Sequence, residues 1–129
     1  MPLTVQVVTP EREVTVSEDA TFVLAHGIDG DVGILPGHSP LLIALGVGPL
    51  KIERGETDQQ MLVDGGFLQV KDDKVIVLAE YAILPSEADV GQVAQRVEEL
   101  KRRIETDMAD EEAKKQLARQ EALHKMLRM

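Results

Sequence analysis

The hydrophobic period of this 129-residue sequence changes once, at Pro85-Ser86, and that change constrains the fold more than any other feature. Upstream, apolar and polar residues alternate in short runs divided by turn residues, the pattern of strands half-buried in an antiparallel sandwich. Leu3, Val5 and Val7 alternate with Thr4 and Gln6, and the break Thr9-Pro10-Glu11-Arg12 leads to Val14 and Val16. Further runs fall at 21–26, 41–45, 50–53, 61–63, 67–70 and 75–79. Between them stand Asp29-Gly30, Gly55, Gly65-Gly66 and Asp72-Asp73, which read as turns. Residues 1–84 are therefore expected to form an all-β sandwich of about ten short strands.

Downstream, Gly91 is the sole glycine and apolar residues recur at spacings of three and four. Ser86 followed by Asp89 predicts a helix start with the Ser86 hydroxyl as cap. Val90, Val93, Ala94, Val97, Leu100 and Ile104 then form one apolar stripe. Acids at Asp107, Asp110, Glu111 and Glu112 predict the first turn of a second helix that runs close to Met129. So short a join predicts an antiparallel α-helical hairpin over 85–129, with Ala113, Leu117, Leu123 and Leu127 turned inward. Gln116, Gln120 and His124 interrupt that stripe, and a seam of this kind packs reversibly.

Composition excludes several classes of function. With no cysteine there is neither a disulfide framework nor a thiolate site, which fits a reducing compartment. Aromatic residues are 2% of the chain and the net charge is −9, so a stacking platform or basic groove for nucleic acid is not expected. The N-terminus lacks a basic segment followed by a long apolar run, and no apolar run approaches the length of a membrane span, so direct membrane insertion is not expected. The charge is unevenly spread. Residues 1–86 carry 5 basic and 13 acidic groups, net −8, whereas residues 87–129 carry 9 and 10, net −1. Within the tail, Lys114, Lys115, Arg119, Lys125 and Arg128 face Glu121 alone, so the final segment is net +4. Those cations complement a helix C-terminus and keep a solvated face soluble; they also suit an electrostatic docking surface that moves between acidic partners.

The stretch Gly30-Asp31-Val32-Gly33-Ile34-Leu35-Pro36-Gly37-His38-Ser39-Pro40 resembles the signature of F-type ATP synthase epsilon subunits, Gly-x-x-Gly-x-x-Pro-x-His-x-Pro. Gly46-Val47-Gly48, residues 65–70 and residues 75–79 are similar to the later strands of that family. Gly30 and Gly33 permit positive φ or close backbone approach, while Pro36 and Pro40 fix φ, so the loop has a rigid path. No serine, cysteine or carboxylate is spaced to make His38 catalytic, and it is read as a loop or interface residue.

The resemblance implies a non-catalytic rotor subunit without a cofactor, which couples proton flow to ATP synthesis. It implies a sandwich seated against the gamma subunit and the membrane c-ring through the Gly30, Gly33, Pro36, His38 and Pro40 segment. It implies a hairpin that lies folded or extends toward the alpha and beta subunits, with Lys114, Lys115, Arg119, Lys125 and Arg128 as a brake on hydrolysis. The implied location is the cytoplasmic face of the bacterial plasma membrane, peripheral through the complex, although a plastid source stays open. Some family members bind ATP through Ile/Leu-Asp-x-x-Arg-Ala at the start of the first helix. Of that motif only Asp89 is present, and Gln92 stands where the arginine would offer its fork of donors to phosphate. Asp89 reads more simply as part of the helix cap. Two other readings stay open on residues alone: a free-standing regulatory adaptor, and a metal-binding sandwich using His26, His38, Asp29 and Asp31.

Overall fold

The structure is a computed structural model and describes residues 2–128. The chain divides into two compact units that part between Leu84 and Pro85. The first unit has eight strands: β1 (Leu3–Val8), β2 (Glu13–Ala20), β3 (Phe22–Gly27), β4 (Gly30–Ile34), β5 (Leu41–Ala44), β6 (Val47–Arg54), β7 (Thr57–Lys71) and β8 (Lys74–Ile83). They lie in the order β2-β1-β8-β7-β6-β3-β4, with β5 also paired to β7. The count is eight instead of about ten: the runs at 61–63 and 67–70 belong to one 15-residue strand, while the glycine–proline stretch contributes β4. Adjoining strands pair antiparallel except β1 with β8, where the first and last strands of the unit run parallel, Val5 opposite Val75 and Val7 opposite Val77.

Gly65-Gly66, read from sequence as a turn, lies inside β7 and marks a change of partner. The N-terminal half of β7 pairs with β6, Asp64 opposite Val47, and the C-terminal half pairs with β5, Phe67 opposite Ala44. β8 follows β7 through both halves without a register shift. Both glycines have positive φ, +76° and +103°, which an L side chain rarely adopts. The bend faces the β5–β6 joint, where Leu45 N donates to Gly66 O at 2.9 Å and Gly65 N donates to Gly46 O at 3.2 Å. The core between the faces is aliphatic, with Leu3, Val5, Val7, Ile34, Leu50, Ile52, Met61, Leu68, Val75 and Val77 all fully or almost fully buried. With few rings in the chain, interlocking Val, Leu and Ile carry the burial.

The second unit opens with a 3₁₀ turn, Pro85–Glu87, followed by α1 (Val90–Thr106) and α2 (Glu111–Leu127). Ser86 sits in that turn and does not cap the helix; Asp89 does, its side chain accepting from Gln92 N at 3.1 Å. Ser86 is displaced because the proline before it starts a tighter turn that ends at Glu87, leaving Asp89 as the last residue with extended backbone. The buried side chains are Val93, Val97 and Leu100 on α1 and Ala113, Leu123 and Met126 on α2. Val90 starts the stripe in sequence, yet it is 48% exposed, since it lies in the first turn, beyond the seam's end. Leu117 and Leu127 are partly buried, and Met126 occupies the inner position in their place.

Candidate docking surfaces

Alternation along a strand sends Leu68, Val77 and Val7 into the core, so their neighbours must point out. Those neighbours are apolar. Ala44, Phe67, Leu78 and Val8 form one row across β5, β7, β8 and β1, each opposite the next in the ladder. A second row on the same face carries Leu42, Gln69, Ile76, Gln6 and Val16. Leu42, Phe67 and Leu78 are 68%, 54% and 57% exposed, and a shallow groove of about 390 Å³ runs past Phe67, Leu78, Val8 and Pro10. Contiguous exposed apolar side chains of this kind mark a protein interaction surface. Sequence reasoning placed these strands but missed the face. The signal was present: residues 75–79 and 41–44 are apolar without a break, whereas a strand with one wet face alternates.

The residues of the glycine–proline motif do not converge on one pocket. Gly30 closes the β3–β4 hairpin with φ +128° and lines an open groove of about 270 Å³ with Ile28, Asp29, Asp31 and Leu42. Gly33 is needed for proximity, since a Cβ there would stand 3.0 Å from the Phe22 ring. Pro36 and Pro40 flank the β4–β5 loop, whose Gly37 has φ +83° and donates its N–H to Asp73 Oδ1 at 2.7 Å. His38 closes the same loop: its N–H donates to Leu35 O at 3.1 Å, and its Nδ1 lies 2.7 Å from Ser39 O, which makes Nδ1 the donor. The Gly37 bond ties the loop to the β7–β8 turn, where Asp72 and Asp73 both hold positive φ, and those of His38 close the loop on itself. The rival metal set is dispersed as well. His26 Nδ1 meets Asp31 Oδ1 at 2.7 Å across β3–β4, and among the described residues no group of three or more His, Cys, Asp or Glu could hold a metal ion.

On the helices the five cations of the tail separate. Lys114 pairs with Glu111 at 3.4 Å, Lys115 is exposed, and Arg119 is half-buried. Lys125 and Arg128 line a groove of about 560 Å³ along the hairpin together with Lys101, His124, Glu98 and Glu121. Lys101 and His124 were missed because each is unremarkable in sequence; only the antiparallel pairing brings them alongside Lys125 and Arg128. Asp89 is occupied as the α1 cap. Asp110 caps α2, accepting from Ala113 N at 3.0 Å, and that hydrogen bond, followed by the Arg103 guanidinium, holds its carboxyl below the usual carboxylate range. No helix among the described residues is long and apolar enough to cross a membrane.

Residues 2–85 match the family described as ATP synthase, Delta/Epsilon chain, beta-sandwich domain. A protein of Brevibacillus brevis named ATP synthase epsilon chain is 41% identical over 109 residues, covering 84% of this chain and 82% of that one. One of Desulforamulus reducens with the same name is 39% identical over 122 residues, covering 94% and 89%. Among solved structures, a chain of the Euglena gracilis mitochondrial ATP synthase (OSCP/F1/c-ring, rotational state 1) superposes with a TM-score of 0.79 over 98% of this chain and 81% of that one. At 22% identity that likeness speaks for the fold. A chain from the Tetrahymena thermophila mitochondrial ATP synthase central stalk and c-ring gives a TM-score of 0.57 at 22% identity, covering 67% and 69%. With the matched sandwich, the glycine–proline loop and the two-helix tail present in one chain, this protein belongs to the ATP synthase epsilon chain family, whose members are non-catalytic subunits of that enzyme.

Proposed function

We propose that this chain is a central-stalk rotor subunit that seats its sandwich on the gamma subunit and the c-ring, and brakes ATP hydrolysis with its C-terminal helices. The observation that carries the reading is the apolar outer face of β5, β7, β8 and β1. Leu42, Phe67 and Leu78 are over half exposed there, on a unit otherwise acidic at its surface. A partner that covers these side chains supplies the burial that the isolated chain lacks. The glycine–proline loop, pinned through Gly37 and His38, offers a stiff edge for a second contact with the ring.

The brake is an electrostatic contact. Lys115 and Lys125 are exposed on α2 and Arg128 at its C-cap, and cations so displayed favour an acidic surface on the alpha and beta subunits. Residues 85–129 then act as the regulatory domain and residues 1–84 as the anchor, on the cytoplasmic face of a bacterial plasma membrane and peripheral through the complex. Reconstitution of ATP synthase with the full chain and with a chain ending at Ser86 tests both halves of the proposal. Both forms are expected to co-purify with gamma, and the shortened one is expected to raise hydrolysis. Equal hydrolysis rates would remove the brake, and absence of co-purification would remove the rotor assignment.

A further inference from the structure

The sequence holds no asparagine, so the five-membered succinimide through which a main chain isomerises can form only at aspartate. It forms most readily where glycine follows, because a residue without Cβ lets its amide nitrogen approach the carboxyl carbon of the side chain before it. Of the aspartates, only Asp29 and Asp64 precede glycine. The chain therefore contains the same reactive pair twice, Asp29-Gly30 and Asp64-Gly65, in opposite surroundings.

Asp64 is buried in the middle of β7, opposite Val47 on β6 and Tyr81 on β8. The amide that would attack it is already engaged, since Gly65 N donates to Gly46 O at 3.2 Å. Closing a ring there requires the ladder to part on both sides. Asp29 is the second residue of the two-residue turn between β3 and β4, and both it and Gly30 are exposed. Gly27 opposite Gly30 is the last pair of that ladder, and β4 is the outermost strand, so fraying alone frees the amide. The Asp29 carboxylate makes no hydrogen bond or ion pair among the described residues, and His26, the closest basic side chain in sequence, is engaged by Asp31 at 2.7 Å. A Cβ on Gly30 would meet nothing within 4 Å, so there is open space for the ring.

We propose that Asp29-Gly30 is a site of isoaspartate formation, and hence of methylation by an isoaspartyl methyltransferase that uses S-adenosylmethionine, while the fold holds Asp64-Gly65 intact. In the first step the Gly30 nitrogen attacks Cγ of the protonated Asp29 carboxyl: a C–N bond forms, a C–O bond breaks, and the hydroxyl leaves with the amide proton as water. In the second, water adds to the former main-chain carbonyl carbon of Asp29 and the bond from that carbon to Gly30 N breaks. The main chain then runs through Cγ, and the old carbonyl is a free carboxylate. The methyltransferase moves the sulfonium methyl of S-adenosylmethionine to an oxygen of that carboxylate and S-adenosylhomocysteine leaves; attack of Gly30 N on the ester then expels methanol and restores the succinimide. The rearranged chain carries one more backbone carbon in a turn whose two-residue length sets the β3–β4 register. The site is a property of the chain alone and is independent of the rotor reading.

The full chain is aged warm at neutral pH, folded and in parallel in urea. It is then treated with isoaspartyl methyltransferase and labelled S-adenosylmethionine, and the methylated residue is located by peptide mapping. In the folded chain label is expected at Asp29 and at least about tenfold less at Asp64, because a ladder end opens at almost no cost while a central strand opens only with its whole unit. In urea the two sites are expected to label alike, within about threefold, because the surroundings that separate them are gone. Asp29→Glu keeps the charge at an exposed turn and places the carboxyl one carbon too far for the five-membered ring, so this variant is expected to lose the folded-chain label while its urea unfolding midpoint stays unchanged. Equal labelling of Asp29 and Asp64 in the folded chain would overturn the inference, as would labelling of Asp29 in urea alone or label left unchanged by Asp29→Glu.

Discussion

Replacing Gly66 by alanine should nearly unfold the sandwich, while the same change one residue earlier should not. Both glycines have positive φ, so alanine at either costs about 1–2 kcal/mol of backbone strain. Their surroundings differ. A Cβ on Gly65 meets the end of the Glu80 side chain at 2.6 Å, and an exposed carboxylate swings aside at small cost. A Cβ on Gly66 would stand 2.0 Å from Leu78 O and 2.8 Å from Ala79 Cα, which are backbone atoms of the paired strand. An ordinary carbon–oxygen approach is about 3.3 Å, so β7 and β8 would have to part by about 1 Å. Ladder bonds do not survive that stretch, and each buried group left unpaired costs about 1–3 kcal/mol. Strain and two lost bonds together come to about 3–8 kcal/mol, against a total of roughly 4–13 kcal/mol for a unit of this size. Urea unfolding followed by circular dichroism reads the difference. With a slope of about 1.5 kcal/mol/M, Gly65→Ala should lower the midpoint by about 1 M, and Gly66→Ala by about 3 M or to no folded baseline. Midpoints within about 0.5 M of each other would refute the claim that β7 and β8 are locked together at this bend.

Phe67→Ser with Leu78→Ser should cost only about 1 kcal/mol each, since both side chains are over half exposed, yet should abolish co-purification with the gamma subunit; retained co-purification would move the docking site elsewhere. Asp110 titrates below the ordinary aspartate value of 3.8 because the closed hairpin favours its charged form. Its contribution to closure is therefore complete above that value and disappears as pH falls through the lowered one. Spin labels introduced through Gln92→Cys and Glu121→Cys, positions that the Arg96–Gln116 and Arg103–Asp110 contacts set opposite each other, should keep a constant separation from about pH 7 to 5 and move apart below about 3.8, and a short distance persisting at pH 2 would contradict it. Calorimetry with ATP on the whole chain should register no micromolar binding, since Gln92 has no guanidinium and the Asp89 carboxylate is already engaged by the Gln92 amide; a micromolar isotherm would contradict that.

Much of the sandwich was legible because alternation is enforced wherever one face is buried. Alternation alone assigns Leu3, Val5 and Val7 inward, and all three are fully buried. The β4 strand was not separable from its motif, because Gly30 and Gly33 are poor strand residues retained for a hairpin φ and for the Phe22 ring. Gly65-Gly66 misled for a related reason. Two adjacent glycines are ordinary turn chemistry, and nothing local distinguishes a reversal of the chain from a strand that changes partner while keeping its direction. The parallel β1–β8 pair was illegible because it depends on which strands become neighbours, information that no window of sequence contains. Ser86 lost the cap to Asp89 because a proline at position 85 sets a 3₁₀ turn first, a competition that a spacing rule does not weigh.

The candidate surfaces were harder to read than the fold because they lie where the rules of folding are relaxed. A strand with a solvated outer face has no use for an unbroken Val75-Ile76-Val77-Leu78, and inner positions alone would have made the core. The surplus is therefore evidence of a second covering that the isolated chain does not provide, and it falls in one row, from Ala44 to Val8, rather than at random. In the helices the departure has the opposite sign. The seam buries only three side chains of each helix, and polar contacts from the partly exposed Arg96 and the exposed Arg103 supplement them at its edge. An excess of apolar surface binds firmly, and a deficit of it releases easily. One chain that combines an over-covered sandwich with an under-packed hairpin is suited to remain attached at one end while the other changes conformation.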